Sequence, residues 1–179
     1  PPMLVHRVNF CASLTLAKTL RDRFDVPAMV KWPNDILVRE KKLAGMLSEM
    51  ETRSDMVSFV NIGIGINVNN DPRLVAPEAT SLRRITGAPV PRKQVLSAFI
   101  GAFRERMEKD DLSTVIDEWK AHTLTIGRHV RVATAKEVFE GRAVDVGADG
   151  ALILETGEGQ RQRVVHGDCF HQNHSGGKP

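Results

Sequence analysis

The chain has 179 residues, of which 41% are hydrophobic and 26% charged, with 14 glycines. That is enough apolar chain for one domain, or one domain with a small appendage, and it excludes a disordered polypeptide. The formal charge is only +3 with basic and acidic residues interleaved, which favours a solvated surface over a nucleic-acid stripe.

No window approaches the roughly 18 consecutive apolar residues of a membrane span, and the N-terminus lacks the layout of a signal peptide. A soluble, cytoplasmic protein is expected. Cys11 and Cys169 stand near opposite ends, outside any CxxC spacing, and are expected as free thiols.

In chain order, Phe10, Leu14, Ala17, Leu20 and Phe24 recur at helical steps, predicting an amphipathic helix that ends before Pro27. Extended runs follow at Ala28–Lys31, Ile36–Val38 and Lys42–Glu51, the first two separated by Pro33-Asn34-Asp35, a turn signal. Met56–Ile66 is almost continuously apolar, as a strand covered on both faces would be, and is expected at the sheet centre. Val68–Pro91 reads as a long loop with a short helix at Ser81–Ile85 ended by Gly87. Two further helices are predicted, one after Pro91 with a stripe of Val95, Leu96, Phe99, Ile100, Phe103 and Met107, and one over Leu112–His122. From Gly127 the texture becomes all-β, with Gly147–Gly150 as a hairpin signal, and Gly127–His171 reads as a small antiparallel barrel or barrel-like appendage followed by a frayed tail. The whole is α+β.

Three places could carry chemistry. Lys31-Trp32-Pro33-Asn34-Asp35 ends a strand and puts an amide and a carboxylate at its tip, where a polar ligand could bind, or where the side chains simply bond their own turn. Lys42, returning along the next strand, could bring its ammonium near Asp35, and Gly45 removes a side chain from the same strand, for a ligand or for a bulge. Gly63 and Gly65, two apart, bare one face of the apolar strand before Asn67; a flat ligand or dense packing would each account for them. His166, Cys169, His171 and His174 resemble a metal set in composition but match no zinc spacing.

Together these blocks resemble the biotin protein ligases, also called biotin–[acetyl-CoA-carboxylase] ligases. KWPND at Lys31–Asp35, ILVREK, KLAG at Lys42–Gly45 and IGIGIN at Ile62–Asn67 follow the family's order and separations. The likeness continues through EATSL at Glu78–Leu82, Glu118-Trp119 and Gly127–Val132. It implies a mixed-sheet biotin/lipoate-ligase-like catalytic domain over residues 1–124, an SH3-like barrel over 127–171 and a tail from 172. The implied enzyme uses MgATP to convert biotin to biotinyl-5′-AMP, then transfers biotin to a lysine of the biotin carboxyl carrier protein of acetyl-CoA carboxylase. Carried over by position, Lys42 is the catalytic lysine. Lys31, Trp32, Asn34, Asp35, Gly45, Gly63, Gly65 and Asn67 are the remaining biotin or adenylate contacts, with Asp35 also at the Mg2+ side.

The family's upstream Ser/Thr-Thr-Asn segment, its glycine–arginine-rich loop and any winged-helix DNA-binding domain have no counterpart in this sequence, and Cys169-Phe170-His171 stands where a Leu-Arg pair is usual. The resemblance therefore leaves a second reading open, a catalytically incomplete module that docks the carrier protein. It also leaves a homodimer open. Lipoate ligase shares the superfamily fold, but KWPND and KLAG belong to the biotin branch.

Overall fold

The computed structural model describes residues 3–53, 56–109, 112–157 and 159–172. Helix α1 (Met3–Phe24) begins seven residues before the expected start at Phe10. Between Phe10 and Leu20 it is buried on nearly every face, Lys18 being the half-exposed exception, so it is a central helix and not an amphipathic surface one. Such a helix must satisfy its own polar groups. Ser13 donates to the Phe10 carbonyl and accepts from the Trp119 indole at 3.2 Å. Asp25, in the left-handed region at φ 52°, and Pro27 end it.

The first sheet is antiparallel, in the order β1 (Met29–Lys31), β2 (Asp35–Val38), β3 (Lys41–Arg53), β4 (Met56–Ile66). Strand β4 is therefore an edge among the described residues, which corrects its expected central place. Ile62, Ile64 and Ile66 pack against the core, while Gly63 and Gly65 lie on the opposite, exposed face. Glycine at those two positions erased the polar half of the alternation, and the run read as apolar on both sides.

The loop after β4 carries a 3-10 turn, Pro72–Leu74, and α2 (Leu82–Thr86), closed by Gly87 at φ 78° with its N–H on the Arg83 carbonyl. Helix α3 (Arg92–Lys109) buries only Val95 and Phe99 of its expected stripe; Leu96, Ile100 and Met107 face outward. Helix α4 (Val115–Ala121) turns Val115, Ile116 and Trp119 inward, Trp119 meeting Phe10 edge-on at 4.8 Å.

The second sheet runs β8 (Arg161–Val164), β7 (Leu152–Glu155), β6 (Val138–Val146), β5 (His129–Ala133), β9 (Asp168–His171), all antiparallel. Its end strands β8 and β9 are not neighbours, so among the described residues the five-stranded antiparallel sheet is barrel-like but not closed. The segment between α4 and β5 binds it to the first sheet. Val30 N–H donates to His122, and the Val30 carbonyl accepts from Leu124 N–H and the Thr123 hydroxyl. Among the described residues, no helix is long and apolar enough to cross a membrane. The expected tail falls almost entirely outside the described residues, as does His174.

Candidate active site

Strand register assembles the site. Lys31 faces Asp35 across β1 and β2, Asp35 faces Gly45 across β2 and β3, and Gly45 faces Gly65 across β3 and β4. Facing residues in an antiparallel sheet share a side, so one row carries a cation, an anion and two bare positions. Lys42 is three residues from Gly45, and a regular strand would turn it to the other face. A one-residue register shift intervenes: Ile36 faces Ala44, but Leu37 faces Lys42. This bulge rotates Lys42 onto the side of Asp35 and Gly45.

The ammonium of Lys42 then stands 2.6 Å from Asp35 Oδ1, and that of Lys31 3.4 Å from Asp35 Oδ2. Lys42 is half-exposed, whereas Asp35 and Lys31 are mostly covered. A Cβ at Gly45 would meet Lys42 Cε at 3.1 Å and Asp35 Oδ1 at 3.2 Å, so glycine there makes room for the pair. The main chain of Lys42 is held as well. Its N–H donates to the Glu78 carbonyl, and its own carbonyl accepts from Thr80 N–H. The EATSL segment thus clamps the lysine, a role that its sequence alone did not indicate.

Lys31, Asn34, Asp35, Lys42, Gly45, Gly63 and Gly65 all line one cleft of about 940 Å3. A Cβ at Gly63 or Gly65 would meet nothing nearer than 3.7 Å, so these glycines leave a bare floor and do not answer a packing demand. The Asn34 amide donates to the Met46 carbonyl, and Met46 N–H donates back to the Asn34 carbonyl, tying the strand tip to β3. Trp32 and Asn67 do not line the cleft. The Trp32 indole is fully buried and donates to the Gly150 carbonyl at 2.9 Å, and Asn67 accepts from Asn70 through its side chain.

The far wall comes from the second sheet: Asp168, Cys169, Phe170 and His171 of β9, with Glu40 of the β2–β3 turn beside them. Sequence reasoning marked Cys169–His171 as a departure, and Cys169 and His171 as part of a metal-like set without zinc spacing, and missed Glu40 altogether. Burial pushes the Cys169 thiol up to about 11 and, with the charges of Lys31 and Arg128, pushes the His171 imidazole down to about 4. His171 is thus neutral near pH 7, and its 3.9 Å approach to Glu40 is not an ion pair there. Its Nε2 lies 3.2 Å from the Thr125 hydroxyl, which also accepts from the Trp32 N–H.

Asp35 was expected beside Mg2+. Both of its carboxylate oxygens are engaged by ammonium groups, and the described residues contain no group of three metal-binding side chains. The residues present do not form a protein-held magnesium site.

A polar end with two lysines around one carboxylate, continuous with a bare apolar floor, suits an amphiphilic substrate with an anionic end. These are the features of a binding cleft on an α+β fold. The profile of the biotin/lipoate A/B protein ligase family matches residues 2–69, and that of the biotin protein ligase C-terminal domain matches 125–172. The chain is 32% identical over 160 residues to the bifunctional ligase/repressor BirA of Bacillus subtilis, covering 86% of this chain and 49% of that protein. It is 34% identical over 170 residues to the biotin–[acetyl-CoA-carboxylase] ligase of Mycobacterium tuberculosis, covering 92% and 62% respectively. The chain thus spans about half to three-fifths of these relatives. Among solved structures, the biotin protein ligase of Aquifex aeolicus in complex with biotin and ATP superposes with a TM-score of 0.76 at 26% identity, over 93% of this chain and 71% of that one. The chain belongs to the biotin protein ligase family.

Proposed function

We propose that this chain carries the biotin-activating site of a biotin–[acetyl-CoA-carboxylase] ligase, with residues 1–124 forming the catalytic unit and 127–171 closing one wall of the cleft. The observation that carries this reading is the Lys31–Asp35–Lys42 cluster at the head of the glycine floor. In the first step a biotin carboxylate oxygen bonds to the α-phosphorus of ATP, the bond to the β-phosphate oxygen breaks, and pyrophosphate leaves. In the second, the amine of a carrier-protein lysine attacks the acyl carbon, AMP leaves, and the amine loses a proton. Each step concentrates negative charge on oxygen, which fixed cations stabilise more in the transition state than in the ground state.

Lys42 is the catalytic cation, placed where carboxylate and phosphate meet; Lys31 adds a second charge, and Asp35 holds both ammonium groups in position. Gly45, Gly63 and Gly65 let biotin's aliphatic arm lie against the strands, with Asn34 bordering the nucleotide side. Asn67, just past β4 and outside the cleft, holds the chain that leaves the floor through its side-chain contact with Asn70. The test is biotin-dependent release of pyrophosphate from MgATP, comparing the wild-type chain with Lys42→Ala and replacing biotin by lipoate. Release that needs biotin and falls at least 10²-fold in the variant supports the reading. Lipoate-dependent release alone would assign the sister reaction, and release in neither case would leave a carrier-docking module.

A further inference from the structure

The hairpin that delivers Lys42 carries a conformational cost at its turn. Its turn residues Arg39 and Glu40 have φ of 49° and 66°, the left-handed region that residues with a Cβ occupy at an energetic cost. On the far side of Lys42 the ladder is interrupted by the bulge, so the lysine sits between a strained turn and a register shift. Two contacts from outside the hairpin hold this piece of chain. The Glu78–Thr80 segment holds the main chain of Lys42 itself. The turn is held by Arg128, just before β5 in the second sheet. Its guanidinium grips the Glu40 carboxylate through two parallel contacts of 2.6 and 2.9 Å. Arg128 is itself anchored, its N–H on the Thr125 carbonyl and its carbonyl accepting from Ala143 N–H.

We propose that Arg128 is a positioning residue for Lys42: by clamping Glu40 it fixes the turn two residues upstream and keeps the ammonium on Asp35. The pair is partly exposed, and pairs of that kind contribute little to global stability. A forked, two-contact geometry is nonetheless directional, as a single lysine contact is not. Its consequence falls on geometry at the site, not on the free energy of the fold. The assignment rests on the preceding functional reading only where it concerns rate; the placement of Lys42 stands apart from it.

The experiment is competitive labelling of the intact chain with acetic anhydride, reading the acetylation rate of Lys42 by mass spectrometry against Lys136 as an internal standard. Ion-paired in the wild type, Lys42 should react slowly. Arg128→Ala and Glu40→Gln should each raise its relative rate several-fold, the double variant no further, and Arg128→Lys should fall between wild type and Arg128→Ala. Thermal midpoints should stay close to wild type, and kcat for adenylate formation should fall with the KM for biotin nearly unchanged. An unchanged relative rate at Lys42 in Arg128→Ala would overturn the proposal, even with activity present. Altered labelling in a chain whose wild type releases no biotin-dependent pyrophosphate would keep the positioning role and refute the ligase reading.

Discussion

The indole nitrogen of Trp32 donates to the carbonyl of Gly150, joining the tip of the first hairpin to a turn of the second sheet across 118 positions of sequence. Both partners are shielded from water, so removing the donor leaves a buried acceptor unsatisfied. Trp32→Phe should therefore destabilise the chain by about 1–3 kcal/mol in urea titration. The KM for biotin should change little, since the ring stands behind the cleft. A large rise in that KM with unaltered stability would place Trp32 at the ligand instead.

Gly45→Ala tests the room reserved for the ion pair. The added methyl would press on Lys42 Cε and on Asp35 Oδ1, and the flexible lysine is the partner able to move. Misplacing a reacting group by about 1 Å can cost about 10²-fold in rate. A loss in kcat of that order is expected, with circular dichroism and melting close to wild type. A fully active variant would show that the contact between Lys42 and Asp35 is dispensable.

His171 makes the native state sensitive to acid. Burial holds its pKa at about 4 in the folded chain against an ordinary 6.5, so between these values the unfolded chain binds the proton and the native one does not. Its contribution is complete above pH 6.5 and is lost as pH falls towards 4. By pH 5 the loss should be about 2 kcal/mol, at 1.4 kcal/mol per unit. Urea titrations of wild type and His171→Gln at pH 7 and pH 5 isolate the histidine's contribution, since other groups titrate alike in both. Parallel losses in the two proteins would refute the assignment.

Cys169 lines the cleft, but burial pushes its thiol up to about 11, which leaves almost no thiolate at pH 8. Iodoacetamide should modify it slowly in the native chain and rapidly in urea, as followed by mass spectrometry. Fast native modification would mean that β9 opens readily from the cleft.

Much of this was legible in the sequence because strands and glycines leave local marks. The four strands of the first sheet and the short helix before Gly87 follow from extended runs and turn residues, and the hairpin return alone brings Lys42 near Asp35 without fixing its face. What the sequence hid depends on partners distant along the chain. The bulge that turns Lys42 is a property of pairing between β2 and β3, and spacing alone sets Lys42 and Gly45 on opposite faces. The edge position of β4 was concealed because Gly63 and Gly65 are neither polar nor bulky. The outward side of α3 was concealed because its stripe is wider than the surface it covers. Arg128 and Glu40 read as two unremarkable surface charges, 88 residues apart.

The clasp between Val30 and residues His122–Thr125 also bears on how the chain folds. Strand β1 has β2 on one side, and on the other its hydrogen bonds are completed by a segment more than ninety residues downstream. Closing so long a loop carries an entropic cost that local hairpins do not, so the hairpins of both sheets can form early while the edge of β1 waits. The arrival of the α4–β5 segment should then come late and join the two halves. Unfolding then has no natural halfway point: the sheets should melt in one transition, and hydrogen exchange at Val30 should report the stability of the whole chain.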